Sequence, residues 1–311
     1  MSLTIIMYHY VRPIKKSKYP KINGLELDGF KRQLEFFKGN YNFVSAEEII
    51  EHFTTKRNLP ENSIWLTFDD GYKDHFRYVL PELSKRKIQG TFFPPAEPIL
   101  NNSLLDVNAI HFILAKTKDV SIQLDKLKKL CIKENISISN FEKLCEEVIN
   151  TRRKTDRFDS KEELVFKRML QKHLPLRIRN KLTKILFEDT LNININEFSK
   201  DLYMSCNELK SMVRENMFIG SHTFSHFFLD RLKKVEQKRE IFKSLEFLKK
   251  IGMNTKDWIM CYPYGTYDDT TLEVLEFFGC KVGLTIKPGK IDLNNCKALE
   301  LNRFDTNDFP Q

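Results

Sequence analysis

The chain has 311 residues, of which 41% are hydrophobic and 30% are charged, and its formal net charge is +9. This balance is typical of a packed globular protein and excludes a largely disordered chain. The length allows one large α/β barrel or two smaller domains. No apolar run approaches the ~20 residues that a membrane-spanning helix needs. The positive charge is typical of a solvated lysine-rich surface, and it also suits an anionic partner, such as a nucleotide-linked sugar, a lipid-pyrophosphate carrier, a membrane surface or nucleic acid.

The cysteines and the first residues of the chain indicate the cellular compartment in which the protein is found. No Cys-x-x-Cys pair occurs, and scattered cysteines indicate reduced thiols rather than a disulfide framework. The first ten residues contain a short apolar run with no basic residue before it and no small-residue cleavage site after it, so we expect no signal peptide. We therefore expect a cytoplasmic protein. The cysteines are Cys131, Cys145, Cys206, Cys261, Cys280 and Cys296.

The first hundred residues alternate between strand and helix patterns. Asp28 is a candidate cap for a helix whose apolar residues Phe30, Leu34 and Phe37 share one face. A capping box of Ser45 and Glu48 predicts the next helix. The remaining predicted elements are strands at residues 3–8, 64–68 and 90–93 and a helix at residues 72–87.

The same alternation returns near residue 204. A capping box of Ser205 and Glu208 opens a short helix, and Ile241, Leu245 and Leu248 form the apolar stripe of a longer one. Strands are predicted at residues 217–219, 258–262, 282–285 and 299–303, with a helix at 268–278. Strands alternating with helices indicate a parallel sheet with helical crossovers, which closes as a barrel or stays open as a doubly wound sheet.

Residues 101–203 show helical stripes without strands. One stripe consists of Phe141, Leu144 and Val148, another of Ile178, Leu182 and Ile185, and Ser160 with Glu163 forms a further capping box. We therefore divide the chain into a discontinuous α/β domain, residues 1–100 and 204–311, and an all-helical insertion, residues 101–203. Its dense basic run, Arg152-Arg153-Lys154, is interpreted as an exposed face.

Two groups of polar side chains follow predicted strands. In Thr67-Phe68-Asp69-Asp70-Gly71, neighbouring carboxylates at a strand end repel each other unless a cation or strong hydrogen bonds stabilise them, so one could bind metal while the other acts as a base. A solvated Asp-Asp-Gly turn is the alternative. The imidazoles of His222 and His226, four residues apart, could converge on one metal if the segment turns helically, although surface helices carry such pairs by chance.

The combination of three motifs resembles the polysaccharide deacetylase family, also known as carbohydrate esterase family 4 or the NodB homology domain. Thr67 to Gly71 matches its Thr-Phe-Asp-Asp-Gly motif, and His222 to His226 matches its His-Ser/Thr-x-x-His motif. The resemblance implies a distorted (β/α)7-type barrel with the large all-helical insertion added to it. It also implies Asp69 as the catalytic base, and Asp70, His222 and His226 as ligands of a divalent metal.

The third motif departs from the family pattern. Where Arg-x-Pro-Tyr is usual, this chain has Cys261-Tyr262-Pro263-Tyr264, so the role of the arginine does not carry over to Cys261. The backbone N–H of Tyr264 can still serve as an oxyanion donor. A branch resembling biofilm poly-N-acetylglucosamine deacetylases shares Tyr-Pro-Tyr-Gly and takes its arginine from near the C-terminus, which makes Arg303 the candidate.

The family's late Leu-x-His motif, which supplies the general acid, is absent, because no His follows His226. Met7-Tyr8-His9-Tyr10 resembles a Tyr-His element of the same branch, so we take His9 as the candidate acid or substrate-positioning residue.

The resemblance implies a metal-dependent hydrolase that removes an N-acetyl or other acyl group from a nucleotide-linked, lipid-linked or oligosaccharide amino sugar, in surface polysaccharide or lipopolysaccharide biosynthesis. Zinc is the expected ion, with cobalt, nickel or iron as alternatives. We expect no nucleic-acid partner, whereas peripheral membrane contact and the oligomeric state stay open. The alternatives are a non-catalytic sugar-binding module and a deformylase of a lipid-linked amino sugar.

Overall fold

The computed structural model describes residues 2–151 and 160–311, so the basic run at residues 152–154 lies outside the described residues. The chain divides into two compact units. The first comprises residues 1–14, 24–102 and 200–311, and the second comprises residues 15–23 and 103–199. Among the described residues, no helix combines the length and the apolar character that crossing a membrane requires.

The strands belong to the first unit. Within the described residues, seven of them form one sheet, with the order β10-β1-β5-β6-β7, and β11 and β4 pair with β1 and β5. All pairs of this sheet are parallel except β1 with β10. The strands are β1 Ser2–Tyr8, β2 Val11–Arg12, β3 Leu25–Glu26, β4 Asn42–Phe43, β5 Ser63–Asp69, β6 Thr91–Phe93, β7 Phe218–Ile219, β8 Trp258–Cys261, β9 Cys280–Leu284, β10 Ile291–Asp292 and β11 Phe304–Asp305.

Two further pairs complete the strand pattern. Strands β2 and β3 pair with each other, as do β8 and β9, in both cases in parallel. Isolated bridges join Ser221 to Met260 and Leu284 to Leu301, both in parallel. Backbone hydrogen bonds therefore link the segment after β7 to β8, and β9 to the segment before β11.

In chain order the helices are α1 Leu27–Asn40, α2 Ala46–Thr55, α3 Leu80–Arg86, α4 Ala96–Asn101, α5 Asp106–Lys116, α6 Val120–Lys133, α7 Ile138–Asn150, α8 Lys161–Arg168, α9 Leu176–Leu191, α10 Ile195–Leu202, α11 Cys206–Arg214, α12 Lys234–Lys250 and α13 Asp269–Phe277. The predicted capping boxes are confirmed at Ser45, Ser160 and Ser205. The first unit is thus a mixed α/β fold, and the second is helical.

Aromatic rings form the core next to the central strands. The rings of Tyr8, Phe68 and Phe92, from β1, β5 and β6, stack with centroid distances of 4.9 Å and 4.7 Å. All three side chains are fully buried. Because successive side chains of a strand point to opposite faces, the packing of Phe68 turns Asp69 to the other face of the sheet. The core thereby determines the direction of the carboxylate at the end of β5.

Several predicted details are wrong. The cap of α1 is Glu26 rather than Asp28, which lies in the first turn. The strand expected at residues 299–303 is reduced to a bridge at Leu301, and β11 begins at Phe304. In α9 the side chain of Ile185 is exposed, and the buried face runs through Leu182, Thr183, Leu186, Phe187 and Leu191.

Candidate metal centre

The first acidic motif ends a buried parallel strand. Asp69 is the last residue of β5, and the backbone then takes left-handed φ angles of 68° at Asp70 and 64° at Gly71. A Cβ atom at Gly71 would lie 2.6 Å from Cβ of Pro94, so no larger residue fits this turn. The tight turn directs two adjacent carboxylates into the same region, where both are almost fully buried.

The histidine motif forms an irregular loop rather than a helical turn. Gly220 precedes it, and a Cβ atom there would lie 2.3 Å from the ring of Phe93. Thr223 and His226 take left-handed φ angles of 61° and 59°. Strained backbone of this kind persists only where its surroundings hold it, and it clusters at functional sites. One such restraint is Glu240 of α12, whose carboxylate accepts a hydrogen bond of 2.7 Å from the backbone N–H of Ser225.

Three donor atoms from these loops face one another. Oδ1 of Asp70 lies 3.5 Å from Nε2 of His222 and 3.4 Å from Nε2 of His226, and the two Nε2 atoms are 3.1 Å apart. The other nitrogen of His222, Nδ1, lies 2.8 Å from the carbonyl oxygen of Cys261. A proton on Nδ1 leaves Nε2 with a free electron pair, as a metal ligand requires. Two imidazoles and one carboxylate are a donor set that suits zinc and related divalent ions.

Electrostatics favour the cation-binding forms of Asp70 and His226, but not that of His222. Burial opposes protonation of His222, yet Cys261 and Asp70 outweigh it and raise the pKa of His222 well above its usual value, so an arriving ion would displace a proton from this imidazole. Burial opposes ionisation of Asp70, but the adjacent His222 and His226 outweigh it and hold the pKa of Asp70 well below its usual value. Burial and the neighbouring His222 lower the pKa of His226 to about 3, so its imidazole is neutral at pH 7. The residues present therefore fit a divalent ion.

Asp69 faces a different partner, the guanidinium of Arg303. Nη1 of Arg303 donates to Oδ1 at 2.8 Å and Nη2 donates to Oδ2 at 2.7 Å, which is a bidentate ion pair. Arg303 is only 1% exposed. Burial opposes ionisation of Asp69, yet Arg303 outweighs it and lowers the pKa of Asp69 to about 2.

Cys261, at the position where the family motif has arginine, lies beside this pair. Its Sγ lies 3.1 Å from Nη2 of Arg303 and 3.4 Å from Oδ2 of Asp69. Burial raises the pKa of the Cys261 thiol, so the sulfur is uncharged at neutral pH. A neutral side chain thus takes the motif position, and the positive charge beside Asp69 comes from Arg303.

His9 and Tyr264 border the cluster. Nε2 of His9 lies 4.0 Å from Oδ2 of Asp69, and its side chain is 41% exposed, whereas that of Asp69 is 3% exposed. The ring of Tyr264 lies 4.7 Å from that of His226 and stacks on Phe228 at 3.9 Å. Tyr264 has a left-handed φ of 58°. The structure therefore brings all seven candidate residues into one region of the first unit.

Sequence reasoning missed two residues that touch the candidate ligands or their loop. The hydroxyl of Tyr72 donates to Oδ2 of Asp70 at 2.5 Å, and Glu240 holds the histidine loop. Tyr72 directly follows the acidic motif, but nothing in the pattern indicates that its ring turns back toward Asp70. Glu240 was detectable in principle, because it precedes Ile241 on the apolar stripe of α12, where a buried carboxylate needs a partner.

The first unit is thus an α/β unit in which buried acidic and histidine side chains lie at the ends of mostly parallel strands. The family model for polysaccharide deacetylases matches residues 56–113 and 179–283, and the chain belongs to that family. The polysaccharide deacetylase YxkH of Bacillus subtilis (strain 168) is 30% identical over 82 residues, which are 26% of this chain and 29% of that protein. The matching region thus spans less than a third of this relative.

Solved structures share the fold. The Streptococcus pyogenes deacetylase PplD, in complex with acetate, matches with a TM-score of 0.61 and 18% identity, covering 98% of this chain and 92% of that one. IcaB from Ammonifex degensii matches with a TM-score of 0.57 and 18% identity, covering 97% and 90% of the two chains. A de-N-acetylase from Aggregatibacter actinomycetemcomitans matches with a TM-score of 0.55 and 14% identity, covering 98% and 96%.

Proposed function

We propose that this protein is a metal-dependent hydrolase that removes an N-acetyl group from an amino sugar. The observation that carries the proposal is the cluster of Asp70, His222 and His226, whose donor atoms lie within 3.5 Å of one another while Asp69 stands beside them in a bidentate pair with Arg303. Family membership supports the reaction class.

Asp70, His222 and His226 would hold the ion, and zinc is the ion we propose, with cobalt, nickel or iron as alternatives. When bound, such an ion polarises an acyl carbonyl and lowers the pKa of a water molecule. Three protein ligands are typical of catalytic zinc sites, because they leave room for water and substrate.

The remaining residues would transfer protons and stabilise the negative charge that develops on the substrate. Asp69, kept ionised and oriented by Arg303, would accept the proton of the attacking water. His9, the more exposed partner of Asp69, would donate a proton to the leaving amine. The backbone N–H of Tyr264 would donate to the oxyanion that develops on the former carbonyl oxygen. This assignment needs no late histidine.

For the substrate, we propose a nucleotide-linked, lipid-linked or oligosaccharide amino sugar of surface polysaccharide or lipopolysaccharide biosynthesis. We place the reaction in the cytoplasm because the six cysteines are all free thiols. The net charge of +9 favours an anionic sugar carrier. We further propose that residues 1–100 and 204–311 form a distorted (β/α)7-type barrel, a closure supported by the bridges at Ser221 and Leu284 and by the pairing of β11 with β1.

Acetate release from N-acetylated amino-sugar oligosaccharides and nucleotide sugars tests the proposal. Asp69→Asn should lower the rate by about two to four orders of magnitude, because the amide cannot accept the proton. The matched control is Asp106→Asn, which breaks another Asp–Arg pair, with Arg179 at 3.0 Å, in the second unit. The control should keep the wild-type rate once folding is verified.

Each other outcome has a defined meaning. Wild-type activity in Asp69→Asn would refute the assigned base, and wild-type activity in His222→Ala would refute the metal centre. Release of formate from N-formylated amino sugars, without release of acetate from the N-acetylated ones, would identify a deformylase. Sugar binding without release of any acyl group would identify a non-catalytic sugar-binding module and overturn the proposed hydrolase.

A further inference from the structure

The two carboxylate oxygens of Asp70 have different neighbours. Oδ1 lies 3.5 Å from Nε2 of His222 and 3.4 Å from Nε2 of His226. Oδ2 accepts a hydrogen bond of 2.5 Å from the hydroxyl of Tyr72. A carboxylate can ligate a cation through one oxygen or through both. The closest contacts of both imidazoles are to Oδ1, while Oδ2 accepts the hydrogen bond from the phenol.

We propose that Tyr72 is a positioning residue that keeps Asp70 as a one-oxygen metal ligand, an inference that rests on the proposed metal centre. Rotation of the carboxylate out of its present plane about the Cβ–Cγ bond would break the buried hydrogen bond from Tyr72. The Tyr72 hydroxyl also interacts with the side chain of Tyr10, which helps to fix its position. A hydrogen bond to a charged group is stronger than one between neutral groups, so its loss is unfavourable. The hydrogen bond therefore opposes both rotation and two-oxygen ligation, and it pre-orients the ligand before an ion arrives.

The local fold gives Tyr72 little freedom to move. The left-handed turn at Asp70 and Gly71 reverses the chain, so the ring of Tyr72 returns toward the carboxylate two residues earlier. The ring is fully buried. The ring of Tyr10 stacks on it at 4.1 Å, and Tyr203 lies parallel at 6.2 Å and joins its backbone through an antiparallel bridge. Two other segments of the first unit thus hold the phenol.

Tyr72→Phe removes the hydroxyl and keeps the ring, so the stacking is preserved. The matched control is Tyr8→Phe, which removes another buried tyrosine hydroxyl, one that donates to Oε1 of Gln33 at 3.0 Å rather than to a candidate ligand. Zinc affinity is measured by titration of the full chain against a competing chromophoric chelator, and stability by urea unfolding of the metal-free chain. We expect about 10–100-fold weaker zinc binding in Tyr72→Phe. Tyr8→Phe should lose about as much stability as Tyr72→Phe but keep the wild-type zinc affinity.

Wild-type zinc affinity in Tyr72→Phe would overturn the inference, as would an equal loss of affinity in the two variants. Zinc-bound crystals of the unaltered chain give a second test that needs no variant to fold. We expect ligation through Oδ1 alone, with Oδ2 still bonded to Tyr72, and two-oxygen ligation would contradict this. Neither measurement uses a substrate. Failure to release acetate would therefore refute the proposed reaction but not the role of Tyr72 in positioning Asp70.

Discussion

Arg303→Met should destabilise the first unit by about 3–5 kcal/mol, the usual cost of removing one partner of a buried ion pair. Methionine is uncharged and cannot make the bidentate contact. Arg303 is 1% exposed, and its guanidinium donates to both oxygens of Asp69, to the backbone oxygen of Thr285 and to Oγ1 of Thr67. The variant would leave the carboxylate of Asp69 buried without a cation.

The pKa of Asp69 shows the direction of this effect. Arg303 outweighs burial and lowers that pKa from 3.8 to about 2. This net shift of nearly two pKa units, which includes the opposing effect of burial, corresponds to about 2 kcal/mol in favour of the charged form. The lost bonds to Thr67 and Thr285 add to this figure and bring it into the expected range. Total stabilities of about 5–15 kcal/mol make such a loss easy to detect.

Urea unfolding of the metal-free chain, followed by tryptophan fluorescence, measures the loss. Trp65 and Trp258, the only two tryptophans of the chain, are buried in the first unit, so the signal reports that unit. The control is Arg86→Met, which removes ion pairs with Glu35 and Glu82 and should cost about 1 kcal/mol or less because both acids are partly exposed.

A double variant separates the ion pair from general packing. Arg303→Met combined with Asp69→Asn should cost less than the sum of the two single changes, by about 2–3 kcal/mol, because the second change removes the stranded charge. Additive losses, or a loss in Arg303→Met no larger than in Arg86→Met, would refute the buried ion pair.

The remaining predictions concern His75 and Glu240. Burial lowers the pKa of His75 from 6.5 to about 4. The folded chain therefore binds fewer protons than the unfolded chain between these pH values, and the wild type should lose about 3 kcal/mol as the pH falls through this window. His75→Gln should lack this pH-dependent loss of stability. If urea unfolding showed the same loss in both proteins between these pH values, the assignment to His75 would be wrong. Glu240→Ala removes the acceptor for the backbone N–H of Ser225, so we expect a loss of about 1–3 kcal/mol in urea unfolding. We also expect weaker zinc binding in titrations, and unchanged affinity would show that the histidine loop keeps its shape without Glu240.

The candidate site could be located from the sequence because its motifs follow strands. Parallel strands end at the same edge of a sheet, so Asp69 and Asp70 at the end of β5 and His222 after β7 can meet there, as the resemblance to the family implied. The path of the histidine loop could not be predicted, because it depends on left-handed residues at Thr223 and His226 and on Glu240 from a later helix. Left-handed backbone at such residues is not marked by any local sequence pattern.

Other differences have similar physical reasons. Asp28 is a good capping residue, but β3 runs directly into α1, so the helix begins before it. Ile185 fits a helical stripe by spacing, yet Phe187 and Thr183 are buried in its place, because packing rather than local preference decides which face of α9 is covered. Arg303 lies between a bridge and a short strand, where its contact with Asp69 depends on pairing across more than two hundred residues.

Anomalous X-ray diffraction at the zinc edge, from crystals grown with zinc, tests the central claim most directly. We expect one strong peak at about 2.0–2.2 Å from Oδ1 of Asp70 and from Nε2 of His222 and His226. Asp69 should remain paired with Arg303 beside it. A zinc ion bound elsewhere, or crystals in which these three side chains bind no ion at saturating zinc, would contradict the proposed metal centre.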